Sequence, residues 1–530
     1  RDQPRSRGLG DVYKRQIANY AKKFAGKHDI NLMAGYENYY EYIEELGADR
    51  DGYVLTNFPY LNNGPKDLIG NSGKGKEYAY RSYFGRVMYS YADRYLFQAN
   101  IRHDGSSRFA KKHRWGTFPS FSAGWVLSEE NFMKNLNWDW LSFLKIRATW
   151  GALGNERIGD FPYMSTIAFG NTIFYQNNGI YFDQTASQQK YAIENVTWEK
   201  TESTDIGLDI SFLNNRLRVN GDYYWKNTKD MLLAMAIPDF LGFSDPDVNA
   251  GKMSTKGYEL NVSWNDHIGD FSYGIAINFS DFTSKMGDLQ GTQFLGDKVK
   301  MEGSEFNEWY GYVSDGLFLT EEDLKNSPKI NDKNTQLGDI KYKDISGPDG
   351  VPDGKISPEY DRVLLGSSLP HFLYGGNINL GYKNFDLSLA FQGVGKQNAR
   401  LAREMVEPFR NNYGNFPAII DGNYWSPYNT DEQNAVAKYP RLTHVNKSSN
   451  YAMSDYWLFN GGYFRLKNIT LGYTFPKEWM NAIGIKGARI YASASDLFCL
   501  SKYPKGWDPE MGVSEYPITT SILLGVSVNF

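Results

Sequence analysis

The sequence predicts an all-β fold, an antiparallel transmembrane β-barrel of about 15 strands. Three observations predict it. Large apolar residues recur at every second position, connections alternate between tight turns and long loops, and the last amphipathic strand closes on Phe530.

The alternation is clearest in Phe385–Gln392. There Phe385, Leu387, Leu389 and Phe391 alternate with Asp386, Ser388, Ala390 and Gln392. The same period runs through Tyr95, Phe97, Ala99 and Ile101, through Ile206, Leu208, Ile210 and Phe212, and through Ile275, Ile277 and Phe279. Successive side chains of a strand point to opposite faces, so each segment has one oily and one wet face. A β-sandwich alternates in the same way. The intervening residues, however, are Gly, Ser, Asn, Asp, Gln and Arg, which suit a water-filled lumen.

The connections carry the second signal. Tight ones fall at Ala92-Asp93, Asn214-Asn215, Asn265–Gly269 and Lys383-Asn384, and long ones at about 37–76, 152–199, 227–251, 285–369 and 397–460. A membrane barrel with short turns on one side and extended loops on the other has this rhythm. Two intermediate connections, 129–139 and 476–487, are expected to hold short helices. Tyr89, Tyr91, Tyr95, Trp138 and Trp140 gather near strand ends, where amphipathic rings sit at headgroup level. In the final strand Ile522, Leu524, Val526, Val528 and Phe530 share one face.

Composition excludes several classes. With 57 Lys+Arg against 61 Asp+Glu the net charge is −4, so no nucleic-acid footprint is present. Mean hydropathy is −0.54 and no apolar run is long enough for a helical span. The single cysteine, Cys499, forms no internal disulfide, and the six histidines lack metal-ligand spacing. Gly70–Lys76 matches part of a phosphate-binding loop, but Glu77 stands where Ser or Thr is needed, so a flexible loop is expected. No nucleophile–base–acid set can be assembled, and no enzyme is expected. Residues 1–16 are basic and aperiodic and are expected to be a non-native or artefactual leader, with barrel sequence from Ile17.

Several segments, in order, resemble the SusC/RagA family of TonB-dependent outer-membrane transporters. They include Tyr83–Tyr91 (YFGRVMYSY), Arg102–Phe109 (RHDGSSRF), Trp198–Thr201 leading to Thr204–Leu208, Lys256–Leu260 (KGYEL), Phe391–Val394 (FQGV) and Phe464–Tyr473 (FRLKNITLGY). The resemblance implies that residues 17–530 are the C-terminal part of a larger plugged barrel. The sheet would then be incomplete and the plug absent. It also implies an outer-membrane location, a SusD-like surface lipoprotein as lid, the TonB–ExbB–ExbD motor acting through the plug region, and lipid around the wall. The cargo it implies is an oligomeric nutrient, a glycan first and a peptide or iron chelate second. Phe530 matches the terminal aromatic by which assembly machinery recognises outer-membrane barrels.

Two sets of site residues follow. Asp344, Asp349, Asp353 and Asp361 are acidic side chains spaced by glycines, resembling a Ca²⁺ loop, because a hard cation takes several oxygen ligands around a sharp turn. The family's loop often reads Asp/Asn-Gly-Asp-Gly, and here a Gly-Pro-Asp-Gly-Val-Pro stretch interrupts it. The alternative is a solvated turn. No other cofactor is required. The loop aromatics Trp309, Tyr310, Tyr312, Phe409, Tyr413, Tyr424 and Trp425 are candidates for stacking on sugar rings, against the alternative that they pack the loops together. A secreted soluble β-sandwich or propeller that binds or cuts carbohydrate is the rival class, and its oily strand faces would meet in a dry interior.

Overall fold

The computed structural model describes residues 12–54, 57–58, 60–176, 179–188, 191–235, 237, 239–331, 333–410, 416–512 and 515–530. Fifteen long strands form one antiparallel sheet in which each follows its predecessor in sequence. They are β1 (Val12–Phe24), β2 (His28–Arg50), β3 (Ile69–Tyr91), β4 (Tyr95–Ser106), β5 (Trp115–Val126), β6 (Leu141–Asn155), β7 (Glu199–Phe212), β8 (Leu217–Lys229), β9 (Met253–Ile268), β10 (Phe271–Met286), β11 (His371–Tyr382), β12 (Phe385–Lys396), β13 (Tyr463–Thr474), β14 (Gly487–Ser501) and β15 (Ser521–Asn529). β1 and β15 end that order without pairing to each other, which is the incomplete barrel expected from the sequence. No described helix is long and apolar enough to cross a membrane, and a strand-built wall needs none.

The chain divides into two compact units, residues 1–135, 145–206 and 225–253, and residues 136–144, 207–224 and 254–530. In the first, register fixes the two faces of the wall. Tyr20, Leu32, Val87, Ala99, Phe121 and Trp150 stand opposite one another across β1 to β6. The next row is Asn19, Met33, Arg86, Asn100, Ser120 and Gly151. A one-residue slip would exchange these rows, so the pattern itself holds the register. Phe121 remains 46% exposed. The second unit repeats the arrangement. Ile275, Ile378, Leu389, Ile469, Ala494 and Ile522 form one row, and Ala276, Asn377, Ala390, Asn468, Ser495 and Ser521 the next. Leu471, on the oily face of β13, is 51% exposed. The oily faces are bare and do not pack into a dry interior, which overturns the soluble-sandwich alternative.

Tight turns join β1 to β2, β3 to β4, β7 to β8, β9 to β10 and β11 to β12. Between the paired Tyr91 and Tyr95, Ala92 and Asp93 take φ of 53° and 57°, left-handed conformations that turn the chain tightly, and the Arg94 amide donates to the Tyr91 carbonyl at 3.0 Å. Beside this turn His28, Tyr91, Tyr95 and Trp125 form a run of rings with successive centroids 4.9, 6.3 and 6.4 Å apart. In the second unit Trp138, Trp140 and Phe212 do the same at 5.2 and 5.7 Å. The expected short helices are present at Asn131–Lys134 and Lys477–Ala482.

Several boundaries differ from expectation. The connection placed at 37–76 spans only 51–68, because β2 and β3 continue their ladder out to Arg50↔Ile69. Gly70–Lys76 is therefore strand, with Gly73 opposite Leu46, and no flexible loop. Polar composition misled there, since backbone pairing outside the membrane needs no oily face. Likewise Asn265–Ile268 belongs to β9, and β1 begins at Val12, taking in residues 12–16. The long connections hold structure of their own, including a hairpin of Ile167–Gln176 with Gly179–Gln188.

Candidate solute-binding site

The two longest connections, 287–370 and 397–462, both leave from the loop end of the second unit. They fold on each other around a core of Tyr312, Leu317, Ile340, Tyr342, Ile356, Met405, Val406, Ile420, Tyr451 and Trp457. Trp457 is its centre, stacked on Tyr451 at 5.1 Å and donating Nε1–H to the Asn450 carbonyl at 2.9 Å. Such burial of apolar rings stabilises the body by roughly 1.5–3 kcal/mol per side chain.

A polar hub lies beside the rings. Asp339 is 0% exposed, and its carboxylate accepts hydrogen bonds from Arg441 Nε, Asn446 Nδ2, Asn450 Nδ2 and the Gln336 amide at 2.7, 2.8, 2.9 and 2.9 Å. Every lone pair is used, as a buried carboxylate requires. Arg441 lies 102 positions along the chain, so nothing in local sequence pointed to the pair. Burial also pushes up the phenol pKa of Tyr456, to about 12, and those of Tyr342 and Tyr451 further. These hydroxyls are neutral structural donors.

The predicted aromatics separate on this body. Tyr312 is buried and packs on Tyr342 at 5.3 Å, so it is core and no ligand face. Trp425 packs against the same core with its ring pressed on Gly338, where φ is +82° and a Cβ would lie 2.3 Å from the ring. Tyr424 meets Phe416 edge-on at 5.8 Å, and Phe409 stacks on His444 at 4.8 Å. Tyr310 lies under the Arg362 guanidinium at 4.5 Å. Tyr413 falls outside the described residues. Composition cannot separate a ring that seals a loop from one that meets a solute, because both are aromatics in polar sequence.

Trp309 differs. Its indole Nε1–H donates to the Asn398 carbonyl, and its ring forms a wall of a recess of ≈ 400 Å³. Lys298, Ser368, Gln397, Arg400, Arg403 and Tyr503 share the lining. An aromatic wall with convergent amide, hydroxyl and cationic groups is the chemistry of a polar-solute site. The sequence reading named Trp309 and missed its neighbours, which come from three separate connections.

The four aspartates do not converge. Asp361 is buried and both its oxygens are taken by backbone amides, Oδ1 by Ile345 at 2.8 Å and Oδ2 by Ser357 at 2.7 Å. Asp344 Oδ2 accepts from the Gly354 amide at 2.6 Å, while its Oδ1 is buried without a hydrogen-bond partner. Asp353 accepts from the Lys355 amide at 3.0 Å, and Asp349 is exposed. Among the described residues no group of three or more His, Cys, Asp or Glu is placed to hold a metal ion. The carboxylates organise the turn through its amides, so they do not fit one Ca²⁺ ligand set.

Below the loops the wet face is dense in polar contacts. Arg465, 3% exposed, reaches Asp508 at 2.6 Å, and Gln392 reaches Glu510 at 3.0 Å, which ties 502–512 to the polar side of β12 and β13. Asn220, Asn261, Ser263, Asn278 and Asn377 line a further recess on that face. Sheet order, bare oily faces and a polar inner face together describe a membrane wall.

The family model described as TonB dependent receptor-like, beta-barrel matches residues 3–497. The chain belongs to that family. TonB-dependent receptor P3 of Formosa agariphila is 31% identical over 531 residues, covering 95% of this chain and 49% of the relative. TonB-dependent receptor SusC of Bacteroides thetaiotaomicron is 31% identical over 533 residues, covering 96% and 49%. The receptor chain thus spans about half the length of the curated relatives it matches. Among solved structures, the RagAB peptide transporter superposes with a TM-score of 0.80 at 23% identity, over 98% of this chain and 55% of that one, which shows the shared fold. This TonB-dependent receptor is of the SusC/RagA type and is an outer-membrane protein.

Proposed function

We propose that this chain is the wall and outer loop body of a TonB-dependent importer for oligomeric nutrients, with glycans as the preferred class. The observation that carries the reading is the Trp309 recess at the loop end of a wall whose inner face is polar. An indole plane packs on the apolar face of a sugar ring, and the side-chain amide of Gln397 suits its hydroxyls. Loops and a SusD-like lipoprotein capture the oligomer, and TonB with ExbB and ExbD opens the passage by force. Chemistry on the solute is not needed, and the named relatives are receptors.

Peptide import is the second reading, since the RagAB structure is that of a peptide transporter. An iron chelate is the third. The test is growth of a deletion strain of the source organism on single oligosaccharides, peptides or chelated iron. Loss on one oligosaccharide, restored by the gene and not by a Trp309→Ala copy, supports glycan import. Loss confined to peptides or to chelated iron overturns it.

A further inference from the structure

We propose that the Trp309 recess takes an acidic group, a carboxylate carried by the incoming oligomer, and so favours anionic over neutral solutes. The inference rests on the reading of this recess as a capture site and adds the charge of its ligand.

The charge on the recess wall is unevenly compensated. Lys298 Nζ lies over the Trp309 ring, 4.6 Å from its centroid, and no carboxylate among the described residues pairs with it. Its sequence neighbour Asp297 is committed to Arg400. Arg403 uses Nε on Glu407 at 2.7 Å, and Lys447 also approaches that carboxylate, at 3.5 Å, so one anion serves two cations. Glu404, the acidic residue among the lining side chains, is tied to Arg410. Arg400 Nε is buried without a hydrogen-bond partner. The balance leaves Lys298 and the outer edge of Arg403 as positive charge facing the space.

Two physical arguments turn this imbalance into selectivity. An ammonium held against an indole loses water on one side, and burial accordingly lowers the Lys298 pKa. A carboxylate entering beside it restores the lost solvation with a charge-assisted bond, which a hydroxyl cannot match. The cation–π contact holds the ammonium at the Trp309 ring, and both side chains line the same recess. Ring and acid are read together.

The acid could be carried by a sugar or by a peptide, and the test separates these sources. The full-length receptor, purified from outer membranes in detergent, is titrated with an oligogalacturonate and its methyl ester, and with an oligoglutamate and the matching oligoglutamine. The expected result is that one acid binds about tenfold more tightly than its neutral partner. Lys298→Met should remove that margin, costing the acid about tenfold more than its neutral partner, with Arg403→Gln acting in the same direction. Trp309→Ala should weaken acid and neutral ligand alike. Equal binding of acid and neutral forms, with Trp309 dependence kept, overturns the inference and leaves the capture site standing. An equal loss of both affinities in Lys298→Met also overturns it. If no probe binds in a Trp309-dependent way, the inference and the capture site fall together.

Discussion

Asp339 receives the guanidinium of Arg441 side-on, with Nε 2.7 Å from Oδ1 and Nη2 3.1 Å from Oδ2, in a place water does not reach. The contact joins the two connections that make the loop body, and Asn446 and Asn450 complete it. Removing one partner strands the other charge in the interior.

Asp339→Ala is therefore expected to loosen the loop body, at a cost of roughly 3–5 kcal/mol. Protease added to intact cells should cut within 287–370 or 397–462 much faster than in the parent. The boiling-dependent shift in gel mobility that reports the wall should persist. Unchanged protection of the loops would show that the pair holds nothing together.

The rows of the sheet give a second expectation. Ile378 stands in the oily row and its neighbour Asn377 in the polar one. An arginine on a lipid face costs about 2–4 kcal/mol at mid-depth, whereas the lumen face tolerates it. Outer-membrane levels of Ile378→Arg should drop sharply and those of Asn377→Arg should hold. The reverse ranking in membrane fractions would place the lumen on the wrong side.

Trp309 and Trp425 are expected to behave differently although both are loop tryptophans. Trp309→Ala should keep surface abundance and lose about tenfold or more in solute affinity, since a stacked ring is a large part of a small contact. Trp425→Ala should cost about 3–5 kcal/mol of loop stability through the cavity it leaves. Quantitative blotting alongside uptake of labelled solute distinguishes the two.

Gly338 supplies a fourth test. Its φ of +82° and the indole against its Cα leave no place for a methyl group. Gly338→Ala should destabilise the loop body by roughly 1–3 kcal/mol through backbone strain alone. Trp425→Ala in the same chain should relieve the clash and leave the strain. The double variant should thus be less damaged than the two single changes added together, as read by proteolytic half-life. Strict additivity would count against the contact.

The wall was legible and the site mostly was not. Phe385, Leu387 and Leu389 declare a strand and its lipid side because the period of two is local and the environment of each face is uniform. The terminal strand to Phe530 was readable for the same reason. Where strands leave the membrane the uniform environment ends, and Glu44, Glu45 and Gly70–Lys76 looked like loop while pairing as a ladder. In the loops, Tyr312 and Trp309 are three positions apart, yet one is sealed in a core and the other lines a recess. That difference is set by partners from 397–404 and Tyr503, a distance over which composition carries no information.

A core centred on Trp457, with its own charged hub, gives the exterior portion of this receptor a packing economy separate from that of the wall. Residues that line the proposed capture recess, such as Lys298 or Gln397, can then change while the span beneath keeps its register. Chimaeras that exchange this loop body between relatives, cut at the strand ends near Met286, His371, Lys396 and Tyr463, should transfer solute preference as a unit.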